Sequence, residues 1–174
     1  MGFLLLAFSA CDAAALTMPT MVADIHPGSG DSSPVVFHPL GSLLVFFAND
    51  GATGSEPWVS DGTPGGTFEL RDVWPGTNGG FNVGCPVCNA VSNGSIVYFS
   101  ASDGTGGSEL WRTDGTSIGT TKVLGGQNAY GLGMVGNKVF FTSNSTLYAS
   151  DGTPGGTAQV APGWLSTGDE LLEV

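Results

Sequence analysis

Gly107 to Thr120 reads GSELWRTDGTSIGT, and the same pattern recurs at Gly54 to Thr67 as GSEPWVSDGTPGGT and at Ser145 to Thr157 as STLYASDGTPGGT. Each copy carries an aromatic residue, then Asp-Gly-Thr, then Gly-Thr: Trp58, Asp61, Gly62 and Thr63; Trp111, Asp114, Gly115 and Thr116; Tyr148, Asp151, Gly152 and Thr153. Trp58 to Trp111 and Asp61 to Asp114 are both 53 residues apart, so the register is held from one copy to the next. A fixed period of this size marks a repeat architecture, in which one supersecondary unit stacks on its neighbours.

A second signature bounds the units. Asp24-Ile25-His26-Pro27-Gly28 matches Asp72-Val73-Trp74-Pro75-Gly76, and more loosely Val160-Ala161-Pro162-Gly163. The chain divides into units at 24–76, 77–126 and 127–163, with 1–23 and 164–174 left over. Four strands are expected in each unit. In the first they are Pro34–Phe37, Leu43–Ala48, Glu56–Ser60 and Thr67–Val73. In the second they are Asn89–Ser92, Ile96–Ala101, Glu109–Thr113 and Thr120–Leu124. In the third they are Tyr130–Val135, Lys138–Thr142, Thr146–Ser150 and Thr157–Val160. The runs Val45-Phe46-Phe47, Val97-Tyr98-Phe99 and Val139-Phe140-Phe141 are too apolar for a sheet with one wet face, and fit strands packed between sheets.

Hairpins at Asn49-Asp50-Gly51 and Ser102-Asp103-Gly104 join the second and third strands, and Ser143-Asn144-Ser145 shortens that loop in the third unit. In the Asp-Gly-Thr loops the Asp side chain is expected to accept from backbone N–H groups two or three residues on, while glycine supplies positive φ. The fold class is therefore all-β, a β-propeller-like array of four-stranded blades. The leftover ends resemble the two parts of a fourth blade split between the termini: 164–174 the opening of a unit, 1–23 its later strands. Pairing of tail with head closes a ring within one chain, which effective concentration favours; pairing with the next chain gives a ring of subunits or a filament.

The stretch GSELWRTDGTSIGTTKV resembles the ELWxxDGTxxGT repeat of bacterial secreted and cell-surface proteins, over Ala23 to Gly163. The resemblance implies a propeller-like β-repeat array outside the cell and transfers no catalytic residue. The chain departs from it at Pro57, where Leu is usual, and at Ser145-Thr146-Leu147-Tyr148.

Composition narrows the partners. Only 11% of residues are charged, and the cations Arg71, Arg112, Lys122 and Lys138 face 15 carboxylates, for a net charge of −11. Counterion release needs clustered cations, so nucleic acid and anionic membranes are poor candidates. No run approaches the roughly 18 apolar residues that span a bilayer. Met1–Cys11 reads either as an export signal with a lipoprotein-like Cys11 or as a strand, and lacks the basic residue a signal usually carries.

Candidate chemistry is sparse. Cys85-Pro86-Val87-Cys88 reads as a local disulfide, because a zinc site wants a second pair and only Cys11 remains. His26 and His38 lie near prolines with no nucleophile placed beside them. Glu56 with Asp61, or Glu109 with Asp114, suggests a glycosidase pair, but their repetition favours a structural role. Asp50, Asp61, Asp103 and Asp114 sit in glycine-rich loops that could cage calcium, without the dense spacing of an EF-hand. Asn93 and Asn144 head glycosylation sequons in turns. The chain is thus expected to be a non-enzymatic extracellular scaffold or interaction protein, without cofactor and with a glycan, a protein or its own terminal strands as partner. The alternatives are a fibre subunit assembled by strand exchange and a glycan-binding or glycan-cleaving propeller.

Overall fold

The computed structural model describes residues 19–81, 90–126 and 128–160. Their regular structure is all β, in twelve strands that form three four-stranded antiparallel sheets. Sheet 1 runs in order β1 (Val35–Leu40), β2 (Leu43–Asn49), β3 (Ser55–Ser60) and β4 (Phe68–Glu69). Sheet 2 holds β5 (Ala90–Ser92), β6 (Val97–Ala101), β7 (Glu109–Thr113) and β8 (Thr121–Leu124). Sheet 3 holds β9 (Tyr130–Val135), β10 (Lys138–Ser143), β11 (Thr146–Ser150) and β12 (Ala158–Gln159). Each sheet is a meander in chain order, and the first strands of successive sheets adjoin, β1 by β5 and β5 by β9.

Period-2 alternation explains the stacking. Every residue of β6 is buried, because the strand serves two cores at once. Val97, Phe99, Ala101 and, on β7, Trp111 pack against Val45, Phe47 and Val59 of sheet 1. The intervening Tyr98, with Leu110, packs against Val139 and Phe141 of sheet 3. Each sheet thus has a forward face toward the next sheet and a rear face toward the one before. Phe47 meets Phe99 edge-on at 5.2 Å, a geometry that aromatic quadrupoles favour, and stacks on Phe81 with ring centres 3.8 Å apart.

The expected strands are all present, with one marked difference. The fourth strand of the first unit is only Phe68–Glu69 rather than Thr67–Val73. Beyond it Leu70 N–H still donates to the Pro57 carbonyl at 2.8 Å, but Pro57 has no N–H to return the bond, and the Val73 and Trp74 amides further on are taken by the buried Glu56 carboxylate at 3.0 and 3.3 Å. Pro57 leaves the β2–β3 register unbroken from Leu44↔Ser60 to Asn49↔Ser55. In the third unit Asn144 (φ 48°) and Ser145 (φ 61°) make the two-residue turn with both φ positive that a tight hairpin requires. Of the expected split terminal blade, residues 19–23 are described and form no strand, while 1–18 and 164–174, with Cys11 and the Cys85–Cys88 pair, lie outside the described residues.

Candidate functional site

The Asp-Gly-Thr motif forms the same corner three times, between the third and fourth strands of each sheet. Asp61 Oδ1 accepts from the Thr63 amide at 2.9 Å and the Thr63 hydroxyl at 2.7 Å. Thr63 Oγ1 in turn accepts from the Gly66 amide at 3.0 Å. Asp114 with Thr116 and Gly119, and Asp151 with Thr153 and Gly156, repeat these bonds. Gly62, Gly115 and Gly152 take φ of 88°, 86° and 91°, where a Cβ is strained. The second glycine is required by space. A Cβ on Gly66 or Gly119 would lie 2.0 Å from the Asp carboxylate, and one on Gly156 2.1 Å.

A hydroxyl pair, not among the residues expected from the motif, closes each corner. Ser60 and Thr67 meet at 2.7 Å, Thr113 and Thr120 at 2.7 Å, Ser150 and Thr157 at 2.6 Å. The signal was present as a Ser or Thr directly before every Asp-Gly-Thr. The bond from the Thr63 hydroxyl lowers the Asp61 carboxyl below its ordinary range, and those from Thr116 and Thr153 do the same at Asp114 and Asp151.

The other named acids are placed apart. Asp50 Oδ1 caps the amides of Ala52 and Thr53, both at 2.8 Å. Asp103 caps Thr105 at 3.0 Å and is also hydrogen-bonded by Lys122, which holds its carboxyl down at about 2. Asp50, Asp61, Asp103 and Asp114 do not converge, and among the described residues no three or more His, Cys, Asp or Glu side chains are grouped to hold a metal. Glu56 and Asp61 sit at opposite ends of β3, about 16 Å apart at the rise of an extended strand. A glycosidase pair needs about 5–10 Å. Glu109 and Asp114 flank β7 in the same way.

Glu56 is fully buried and accepts from Val73, Trp74 and, at 2.5 Å, Gly80. Burial nevertheless wins over these three amides and pushes its carboxyl up to about 7, with the nearby Asp72 charge adding to the rise. Its counterpart Glu109 is buried 3.6 Å from Lys122 Nζ. His26 is a packing residue: a Cβ on Gly51 would lie 2.3 Å from its Nε2, and one on Gly104 would lie 2.6 Å from Trp74 Nε1. The aromatic of each Asp-x-(His/Trp)-Pro-Gly segment therefore rests on the Asp-Gly turn of the following sheet. His38 is half-buried, and burial lowers its imidazole below the usual range. Asn93 and Asn144 are both exposed, and Asn93 Oδ1 caps Ser95 and Ile96 at 3.0 and 2.8 Å.

Between sheets 1 and 2 opens a cleft of about 450 Å³ whose walls include Arg71, Asp72, Asp103, Trp111 and Lys122. Arg71 and Lys122, two of the four cations in the chain, stand 5.5 and 5.8 Å from the Trp111 ring centre, within cation–π range. Asp72 Oδ1 and Trp111 Nε1 are buried here without a hydrogen-bond partner among the described residues. The cleft is not legible in the sequence, because Arg71 and Lys122 are 51 residues apart and meet only when two sheets stack.

No family model matches the chain, and no curated protein does. Among solved structures it is similar to the computationally designed Ika4 protein, at 23% identity over 77% of this chain and 74% of that one, with a TM-score of 0.41. It is also similar to the computationally designed Ika8 protein, at 21% identity over 80% of this chain and 38% of that one, with a TM-score of 0.44.

Proposed function

We propose that this chain is a non-enzymatic β-repeat scaffold that works outside the cell, its sheets arranged as successive blades of a propeller-like array. The observation that carries this reading is the corner repeated three times: Asp61, Asp114 and Asp151 spend the same oxygen on the same backbone and hydroxyl groups. Repeated polar residues committed in this way hold shape. The acidic, cation-poor composition and the resemblance to secreted ELWxxDGTxxGT proteins support the extracellular setting. The test is immunogold labelling of producing cells. Label on intact cells or in their medium is expected, and label seen only after permeabilisation would overturn the reading.

The cleft favours a second reading, glycan binding. Its walls set Trp111 beside the charged side chains of Arg71, Asp72, Asp103 and Lys122, a mixture of aromatic surface and hydrogen-bonding groups that suits the hydroxyl-rich chemistry of sugars. Titration calorimetry against neutral oligosaccharides tests it: heat that disappears in Asp72→Ala supports the cleft as the site, and the absence of heat in the unmodified protein discards it.

A further inference from the structure

Both interfaces inside the molecule follow one rule: a forward face meets a rear face. Val45, Phe47 and Val59 of sheet 1 meet Val97, Phe99 and Trp111 of sheet 2, and Tyr98 and Leu110 of sheet 2 meet Val139, Phe141 and Tyr148 of sheet 3. Strand register then identifies the faces left over. Phe46 lies opposite Trp58 as Phe99 lies opposite Trp111 and Phe141 opposite Tyr148, so Leu44, Phe46 and Trp58 form the rear face of sheet 1. Alternation along sheet 3 sends Val135, Phe140, Leu147 and Val160 to its forward face. Among the described residues no further sheet covers either face.

Three observations mark these faces as halves of one interface. Six of the eight large apolar side chains that stand exposed among the described residues lie on these faces or border them. Met21, Val22 and Phe37 (53% exposed) border a groove over Leu44 and Phe46, while Val135 (70%), Leu147 (37%) and Val160 (48%) belong to the other end. The groove is also half built as an interface. Ile25 lines it as Val73, its counterpart in the repeat, lines the core between sheets 1 and 2, and His26 rests on Gly51 as Trp74 rests on Gly104. Finally, the corners differ in what touches the first glycine. Gly115 is touched by Leu40 and Leu43 of sheet 1, and Gly152 by Tyr98 and Arg112 of sheet 2, whereas nothing lies within 4 Å of the Cβ position of Gly62.

We propose that a second copy of this chain supplies the missing partner, its forward face of sheet 3 docking on the rear face of sheet 1, and the reverse, so that two copies close a ring of six sheets. One forward and one rear face per chain make each seam a forward-to-rear contact, and a two-fold rotation repeats that seam so that two copies leave neither face exposed. Six sheets fall within the four to eight blades of propeller rings. In the docked pair Phe140, the counterpart of Tyr98, reaches the Gly62 corner of the partner. This inference rests on the scaffold reading and names its partner.

Sedimentation equilibrium of the full chain tests it, with Leu147→Asp and Phe37→Asp as the variants. Both positions are exposed, so folding survives the change, and far-UV circular dichroism with a thermal melt verifies this. A carboxylate desolvated in either contact is expected to weaken dimerisation at least about tenfold. The unmodified chain should be a dimer and each variant alone a monomer. Their mixture should recover a weaker one-to-one pair, because one intact forward face still meets one intact rear face. A monomer at every concentration, as when the chain's own ends cover the faces, a filament, or dimers that survive both substitutions would overturn the proposal. Because the readout is mass, a monomer that is nevertheless found outside the cell fails this inference alone.

Discussion

Gly119 shows how one hydrogen atom in place of a methyl decides a corner. Its φ is ordinary, so conformational freedom does not explain it. What does is the Asp114 carboxylate, 2.0 Å from where a Cβ would stand. Gly119→Ala must displace the Asp from Thr116, and a loss of about 2 kcal/mol is expected in urea denaturation. Asp114→Ala removes the cap but leaves the space, so about 1 kcal/mol is expected. If Gly119→Ala proves the milder of the two, the steric account of the second glycine fails. The role of Asp114 as a cap was legible in the sequence from Asp-Gly-Thr itself. The exclusion at Gly119 was not, since it depends on where the carboxylate swings after the turn.

The hairpin between β10 and β11 raises the same question for an element. Its loop is two residues, Asn144 and Ser145, both in the left-handed region, where serine carries a steric cost. Ser145→Gly should therefore stabilise the protein by about 0.5–1 kcal/mol, measured as a shift of the denaturation midpoint at unchanged slope. The strands themselves were readable because turn residues and apolar runs alternate along the chain. The early end of β4 was not: Thr67–Val73 looks like a continuous strand, but Pro57 on β3 has no N–H to return the bond that Leu70 donates, and Glu56, eleven residues before Thr67, takes the Val73 and Trp74 amides.

For the molecule as a whole, position in the stack sets the cost of a cavity. Phe99 is buried between sheets 1 and 2, so Phe99→Ala should cost about 3–5 kcal/mol, whereas Phe140→Ala on the half-buried forward face of sheet 3 should cost roughly half as much in the monomer. Stability should also vary with pH through opposed groups: His38, whose imidazole burial holds low, favours the fold as pH rises toward 6.5, and Glu56 does the reverse. Glu56 titrates near 7 when folded against 4.5 as a free side chain, so its contribution is full below about 4.5 and is lost as pH rises through about 7. That loss is on the order of 3 kcal/mol. Asp61, Asp103, Asp114 and Asp151 shift the other way, so their contributions are present above the ordinary aspartate value of 3.8 and fade as pH falls below it. Melting temperature against pH checks both limbs. In Glu56→Gln the slope between pH 4.5 and about 7 should become more positive, and an unchanged slope would contradict the assignment.

The amino-acid sequence by itself determined the repeat, the number of strands in each unit and the turn chemistry of the corners, because these depend on residues within a few positions of each other. Backbone hydrogen bonding and side-chain alternation are local rules, and a repeated motif states them three times. Only the tertiary structure decided that Tyr98 and Phe99 serve different cores, that His26 and Trp74 settle on the glycine of the next sheet, and that Arg71 and Lys122 share one indole. Those meetings join residues about 25 to 50 positions apart. They depend on how one sheet lies on another, through packing of whole faces that no single stretch of chain encodes.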